Sequence, residues 1–181
     1  MNTYKKTKIQ KLTASAVLLA FCQILPFVTG QVPEIGNMLC PMHIPVLLCG
    51  LLCGWQYGVS VGFVAPLLRS FLFLSPPLFP QAVSMAFELA AYGLVSGILN
   101  RIFPEKNVYI YLNLLISMLS GRAVWGLARF LIYGLGYTEF SFNLFLAGAF
   151  VDAIPGIIIQ LILIPLVVIA LRHIEKRNFL R

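Results

Sequence analysis

Charged residues are scarce in this chain: Asp, Glu, Lys and Arg together make up 10% of its 181 residues. A typical soluble domain carries about 25% charged residues, so the low fraction excludes an ordinary water-exposed surface. Hydrophobic residues make up 60% of the chain, and its mean hydropathy is +0.91. The sequence therefore predicts an integral membrane protein. Because each span takes roughly 20 residues, residues 1–181 have room for about six helices in a single transmembrane domain.

Cysteine is also scarce, with four residues in the chain, too few and too scattered for a disulfide framework. Cys49 and Cys53 lie four positions apart in the apolar stretch PVLLCGLLCG, and we interpret them as packing residues. A metal site built from these cysteines and His43 is an alternative, but no second Cys or His pair completes it. We therefore predict neither a metal nor another cofactor.

Catalytic and nucleotide-binding motifs are missing from the sequence. There is no H-E-x-x-H, no Walker motif and no phosphate-cradling loop, so this chain does not hydrolyse ATP by itself. The stretch GLVSG at 93–97 is not the G-x-S-G of an intramembrane serine protease. We predict no enzyme and no catalytic residue. The net charge of +7 accompanies no basic soluble module, which disfavours nucleic acid as a partner.

Long apolar runs follow one another along the whole chain. They are continuous rather than alternating, which favours transmembrane helices over a barrel. Six runs are separated by polar or Pro- and Gly-containing stretches, at 11–30, 44–55, 57–74, 81–101, 108–136 and 144–172. The fold class is therefore an all-α compact bundle of about six transmembrane helices. Only a short break separates the second and third runs, so a hairpin or partly inserted segment over 44–74 is an alternative.

Basic residues lie on one side of this six-span arrangement. They occur in the amino-terminal arm, in the loop RIFPEKN and in the carboxy-terminal tail, whereas the other loops carry no Lys or Arg. Since Lys and Arg are retained on the cytoplasmic side, both termini are predicted to be cytoplasmic. Cys40 then falls in an outer loop, where we expect impermeant thiol reagents to reach it.

Five charged residues fall inside the apolar runs: Arg69, Glu88, Arg122, Arg129 and Asp152. Each costs roughly 2.5 to 3.5 kcal/mol at the centre of a span, so they should face the protein interior. All except Arg122 are expected at a common depth of about 8 to 12 Å from the outer surface. One interpretation is that these charged residues form ion pairs whose only role is to hold the bundle together. Three arginines against two carboxylates leave one positive charge in excess, which favours an anionic ligand.

Polar and aromatic residues extend this candidate site along three segments. Arg122, Trp125, Arg129 and Tyr133 share a helix face, and Glu88 and Tyr92 lie in a polar stripe with Gln81 and Ser84. The outer loop QVPEIGNMLCPMH could fold over the cavity or simply connect two helices. The candidate substrate-binding residues are Asn37, His43, Arg69, Glu88, Tyr92, Arg122, Trp125, Arg129 and Asp152.

Small residues recur at four-residue spacing, as in Ala16 and Ala20, and in Gly58 and Gly62. Such pairs let helix backbones approach closely in a membrane, and most are expected to pack inside the bundle. Ala16 and Ala20 lie beside the basic arm, where they could instead form a docking face for another membrane protein.

Six compact spans, a basic arm followed by Ala16-x-x-x-Ala20, and the segment GNMLCPMHIPVLLCGLLCG resemble the substrate-binding S component of an energy-coupling factor (ECF) vitamin transporter. The resemblance implies a multi-pass protein of a bacterial cell membrane that binds a vitamin near the outer surface, under outer loops. It also implies a membrane coupling (T) protein and two cytoplasmic ATPases as partners, docked through the alanine face. Ala16 and Ala20 match that pattern.

The vitamin does not follow from a motif, because binding residues differ among members of this family. The excess arginine favours a carboxylate-bearing substrate such as pantothenate, and pyridoxine or another vitamin is the alternative. A stand-alone carrier or channel would need a polar path across the membrane, yet the inner halves of the spans carry almost no charge.

Overall fold

Six α-helices make up most of the described chain. The structure is a computed structural model that describes residues 7–28, 39–104, 106–134 and 154–179, and no strand occurs among them. The helices are α1 (Lys8–Val28), α2 (His43–Cys53), α3 (Trp55–Phe73), α4 (Val83–Ile102), α5 (Asn107–Gly134) and α6 (Ile154–Phe179). A short kinked segment, Leu78–Ala82, leads into α4, and Phe79 within it has extended backbone angles (φ −123°, ψ 135°). The predicted all-α bundle of about six helices is confirmed.

The six helices differ in length and polarity. Four of the described helical segments are long and apolar enough to cross a membrane, namely Lys8–Phe27, Leu78–Ile102, Asn107–Ile132 and Ile154–Ile174. Helix α2 has 11 residues, which at 1.5 Å per residue is too short for a hydrocarbon core of about 30 Å. Helix α3 has 19 residues but includes Gln56, Arg69 and Ser70, which lower its hydropathy.

Gly54 separates α2 from α3 and reverses the chain. Its φ of 101° lies in the region that favours glycine, because a Cβ would be strained there. Four residues before and four after this turn, Gly50 and Gly58 meet closely, so the two helices run in opposite directions. Residues 44–74 thus form a short helix and a longer one that fold back on each other.

Helix directions alternate through the bundle. In α3 and α4, Gly58 lies against Gly93 and Gly62 against Leu89, so the two helices are antiparallel. Helix α5 is antiparallel to α4, since Asn113 donates a hydrogen bond to the carbonyl of Ser96, nearer the end of α4. The alternation brings the start of α1, the end of α4, the start of α5 and the last turns of α6 to one end of the molecule. We call it the basic end, because its described cations are Lys8, Lys11, Arg101, Lys106 and Arg172.

Glycine contacts let α3 and α4 approach within touching distance of their backbones. A Cβ on Gly58 or Gly93 would overlap the backbone of the other residue, and one on Gly97 would overlap the backbone of Trp55. The predicted packing role of these small residues is confirmed. Helix α2 lies at the centre, where every residue except Leu52 is buried. Cys49 and Cys53 belong to this core, as expected.

Candidate functional site

A buried cluster of ionisable side chains joins three helices in the bundle interior. We call it the Glu88 cluster, and it consists of His43, Glu88, Tyr92 and Arg122. Oε1 of Glu88 lies 3.0 Å from Nη1 of Arg122 and 3.3 Å from Nε2 of His43. The same oxygen accepts a hydrogen bond of 3.2 Å from the Tyr92 hydroxyl. One carboxylate oxygen therefore holds side chains from α2, α4 and α5.

Local helix geometry explains how these side chains meet. Glu88 and Tyr92 are four positions apart on α4, one above the other on the same face. The Tyr92 ring lies against Gly121 of α5, where a Cβ would overlap the ring. Glycine at 121 therefore leaves room for Tyr92 beside its neighbour Arg122. The four cluster side chains are almost fully removed from solvent, with 3% (His43), 1% (Glu88), 2% (Tyr92) and 8% (Arg122) of their surface exposed.

Two buried polar atoms of the Glu88 cluster have no hydrogen-bond partner among the described residues. They are Nε of Arg122 and Nδ1 of His43. Because Nε2 of His43 faces the carboxylate, the tautomer protonated at Nε2 fits, and Nδ1 is then an acceptor. The cluster thus offers one unused donor and one unused acceptor. Buried polar groups are nearly always hydrogen-bonded, so these two atoms mark a place for a ligand or a water molecule.

Cys40 lies three residues before the start of α2, and its thiol contacts Arg122 of the Glu88 cluster. Nη2 of Arg122 donates to its Sγ at 3.4 Å. Only 8% of Cys40 is exposed, so the expectation of an accessible outer-loop thiol is wrong. The reason is tertiary, since the chain folds inward before α2 and places the thiol on the Arg122 guanidinium. Burial raises the pKa of the Cys40 thiol, although Arg122 acts in the opposite direction.

Arg129 forms a second polar group further along α5. Its Nη2 donates a short hydrogen bond to Oε1 of Gln81, and its guanidinium lies over the Trp125 ring, 4.9 Å from the centroid. Trp125 and Arg129 share a helix face as their spacing predicts. Both side chains are partly buried. A cation held flat against an aromatic ring is oriented without losing its charge.

Arg69 is engaged elsewhere, between α1 and α3. Its Nη1 donates to the backbone carbonyl of Gln23 at 2.7 Å, and its guanidinium lies 5.1 Å from the ring centroids of Phe27 and Phe73. Nothing in these contacts connects Arg69 to the Glu88 cluster. The sequence suggested a ligand as the partner of Arg69. In the structure, a backbone carbonyl and two aromatic rings are its partners instead.

The single layer of charges expected from the sequence is not what the contacts show. Glu88 pairs with Arg122, whereas Arg129 bonds Gln81, seven positions before Glu88 on α4. Seven residues correspond to about 10 Å along a helix, so the two groups lie at different depths. The expectation failed because the spacing along one helix does not define its axial offset from a neighbouring helix: Arg129 meets Gln81, and Glu88 meets Arg122.

The outer-loop residues predicted for the site have different outcomes. His43 is not part of a covering loop: it is the first residue of α2 and is buried against Glu88. Asn37 and Asp152 lie outside the described residues, and so do the loop positions 29–38. In the described parts of the chain, no three His, Cys, Asp or Glu side chains converge as a metal site would require.

Gln81 and Cys40 contact the predicted arginines but were not among the predicted site residues. Gln81 could have been found, because it shares the helical stripe of Glu88 and Tyr92. No sequence signal connects Cys40 with Arg122, which is 82 positions away.

Comparison with known proteins gives one match. The family model of the ECF transporter substrate-specific component matches residues 10–168, which is most of the chain. No curated protein and no solved structure matches.

Proposed function

The chain belongs to the substrate-specific components of ECF transporters, and on this premise we propose that the Glu88 cluster and Arg129 bind a small, anionic, water-soluble vitamin. Members of this family are membrane subunits that bind small substrates and work with a T protein and ATPases, and they are not enzymes. The chemistry proposed for this chain is therefore recognition and release.

The observation that carries the proposal is the pair of unused polar atoms in the Glu88 cluster. Arg122 Nε offers a hydrogen-bond donor and His43 Nδ1 an acceptor, both removed from solvent. A substrate hydroxyl or amide can satisfy either atom. Since each unsatisfied buried group costs about 1–3 kcal/mol, a ligand that pairs them gains that free energy as affinity. For the same reason, analogues that lack the matching polar group should bind more weakly.

Arg129 is the proposed counter-ion of the anion, because three intramembrane arginines stand against two carboxylates in the sequence. Glu88 neutralises Arg122 at 3.0 Å. The carbonyl of Gln23 and two phenylalanine rings satisfy Arg69. A hydrogen bond to Gln81 and the ring of Trp125 orient the Arg129 guanidinium. A guanidinium held in this way presents a planar donor set to a carboxylate.

Pantothenate is the substrate that fits this arrangement best. Its carboxylate would lie on Arg129, and its hydroxyl and amide groups would extend toward the unused atoms of Arg122 and His43. The two groups are separated by about 10 Å along the helices, a distance that a linear molecule bridges more readily than a single ring. Pyridoxine has no carboxylate to place on Arg129.

The coupling partners are proposed to dock on α1. Ala16 and Ala20 are both exposed on this helix, which packs against α2 and α3 with its opposite side. Small side chains at that spacing allow a partner helix to approach closely. The proposal places the T protein there and both termini in the cytoplasm, with the substrate entering from the other side of a bacterial membrane.

Identification of the co-purified small molecule by mass spectrometry tests the proposed substrate class most directly. Titration calorimetry of the purified, ligand-free protein should then show tight binding of pantothenate and weak or no binding of pyridoxine. The reverse preference would rule out the anion assignment. Uptake by cells expressing the chain with and without T protein and ATPases separates a coupled transporter from a stand-alone carrier or channel.

A further inference from the structure

A polar groove lies at the basic end of the bundle, far from the Glu88 cluster. Residues from the ends of α4 and α6 and from the start of α5 line it. Its volume is about 180 Å³, which includes space that is open to the surroundings. Lys106 and Arg172 supply two cations to its walls, and Asn100 and Asn113 supply two amides. No described acidic residue lines the groove. The described lining residues therefore include two positive charges.

Arg172 is oriented but not fully satisfied in this groove. Its Nη2 donates to Oδ1 of Asn100 at 3.4 Å. The amide nitrogen of Asn100 donates in turn to the carbonyl of Leu51 at 2.8 Å, which fixes the direction of the amide. Nη1 of Arg172 is buried and has no hydrogen-bond partner among the described residues. A buried guanidinium N–H that lacks an acceptor is expected to bind one, and an anionic oxygen forms the strongest hydrogen bond with it.

The surroundings of the groove are those of a membrane interface. The rings of Phe103 and Tyr109 pack against each other at 5.3 Å beside the two cations. Exposed Ile102 and Val108 flank the same connection. Aromatic rings concentrate at the level of lipid headgroups, and exposed aliphatic side chains next to them contact acyl chains. Aromatic and apolar surfaces that suit glycerol and acyl chains thus lie beside the two cations that suit a phosphate.

We propose that this groove binds the headgroup phosphate of an anionic phospholipid, with Arg172 and Lys106 as its cationic ligands. Arg172 donates from Nη1, and exposed Lys106 adds a charge from the rim of the groove. Basic pockets between transmembrane helices on the cytoplasmic side suit anionic headgroups, because that leaflet carries the negative surface potential. The site is separate from the substrate site, and neither depends on the other.

Thermal unfolding of the purified full chain in a neutral detergent tests the proposal. Dioctanoyl phosphatidylglycerol, dioctanoyl phosphatidylcholine and inorganic phosphate are titrated separately, and each apparent affinity follows from the rise in Tm with concentration. The anionic lipid is expected to raise Tm in a saturable way that weakens at high salt. An equal rise with the zwitterionic lipid would overturn anion selectivity. An equal rise in Tm with inorganic phosphate would show that the site binds free phosphate, and the proposal of a lipid ligand would be wrong.

Three variants locate the effect. R172Q is expected to weaken phosphatidylglycerol binding at least about tenfold, because it removes a charge-assisted hydrogen bond. K106Q keeps every described side-chain hydrogen bond of the protein and should weaken binding about fivefold through the lost charge. R101Q is the matched control, since exposed Arg101 lies at the same end but does not line the groove. If K106Q binds like the parent, or R101Q loses as much as K106Q, the groove is not the site.

Discussion

Nη1 of Arg122 and Oε1 of Glu88 lie 3.0 Å apart, and this ion pair joins α5 to α4 in the interior of the bundle. The same carboxylate oxygen faces His43 and Tyr92, so its removal would leave three polar side chains without their common acceptor. The pair neutralises Arg122 but leaves its Nε unused. Glu88 therefore both stabilises the bundle and orients the two atoms that we propose to meet the substrate.

Replacement of Glu88 by Gln should destabilise the protein markedly. Removing one partner of a buried ion pair leaves the other charge uncompensated, which costs roughly 3–5 kcal/mol. The unfolding free energy can be measured by SDS titration of the purified protein. The double variant E88Q/R122M should recover part of the loss, because no isolated charge remains. If E88Q costs less than about 1 kcal/mol, the pair behaves like an exposed one.

Replacement of Arg129 by Met should weaken substrate binding with little loss of stability. Methionine keeps much of the side-chain length and can still pack on Trp125, but the charge is gone. Loss of a charged partner in a buried site is expected to cost roughly 2 to 5 kcal/mol of binding free energy. Titration calorimetry with pantothenate measures it, and R101M at the opposite end is the matched control. Unchanged affinity in R129M would remove Arg129 from the site.

Bulky residues at Ala16 or Ala20 should stop energised uptake while leaving substrate binding nearly intact. A16L or A20L would hold a partner helix away from the exposed face of α1. Uptake is measured in cells that also produce the T protein and ATPases, and binding is measured on the isolated protein. A123L adds the same bulk to an exposed site on α5 and should transport normally. A parallel loss of binding in A16L would indicate internal packing.

Cys40 should react slowly with maleimide in the folded protein and quickly after unfolding. It is buried against Arg122, and burial raises its pKa, so the reactive thiolate is scarce near neutral pH. The rate should rise as pH increases. Leu74→Cys supplies a reference thiol, because Leu74 is highly exposed just after α3. Comparable rates at the two positions would contradict the burial of Cys40.

Both termini are predicted to be cytoplasmic. In a background without the native cysteines, an impermeant thiol reagent added to intact cells should label Leu74→Cys but not Tyr4→Cys. The physical reason is the retention of basic segments on the cytoplasmic side. Permeabilised cells provide the control in which both positions react. Labelling at position 4 from outside would reverse the orientation.

The sequence by itself determined the helical bundle. Continuous apolar runs predicted the first five helices to within three residues of their described ends, because helix formation depends on local hydrogen bonds and local hydropathy. The sixth run, 144–172, overlaps α6, which extends to Phe179. Glycines at four-residue spacing correctly indicated close backbone contacts, as at Gly58 and Gly93. The cost of burying a charge correctly indicated that Arg69, Glu88 and Arg122 face the interior.

Only the tertiary structure decided which charges meet. Spacing along one helix defines a face, but it does not define the rotation or axial offset of that helix relative to its neighbours. Close glycine contacts fix these offsets, as where Gly58 meets Gly93 and Gly121 meets the Tyr92 ring, and in this packing Glu88 reaches Arg122 and His43. The same offsets leave Arg69 with a backbone carbonyl and Cys40 under a guanidinium. Partners far apart in sequence are chosen by packing between helices, which no local pattern specifies.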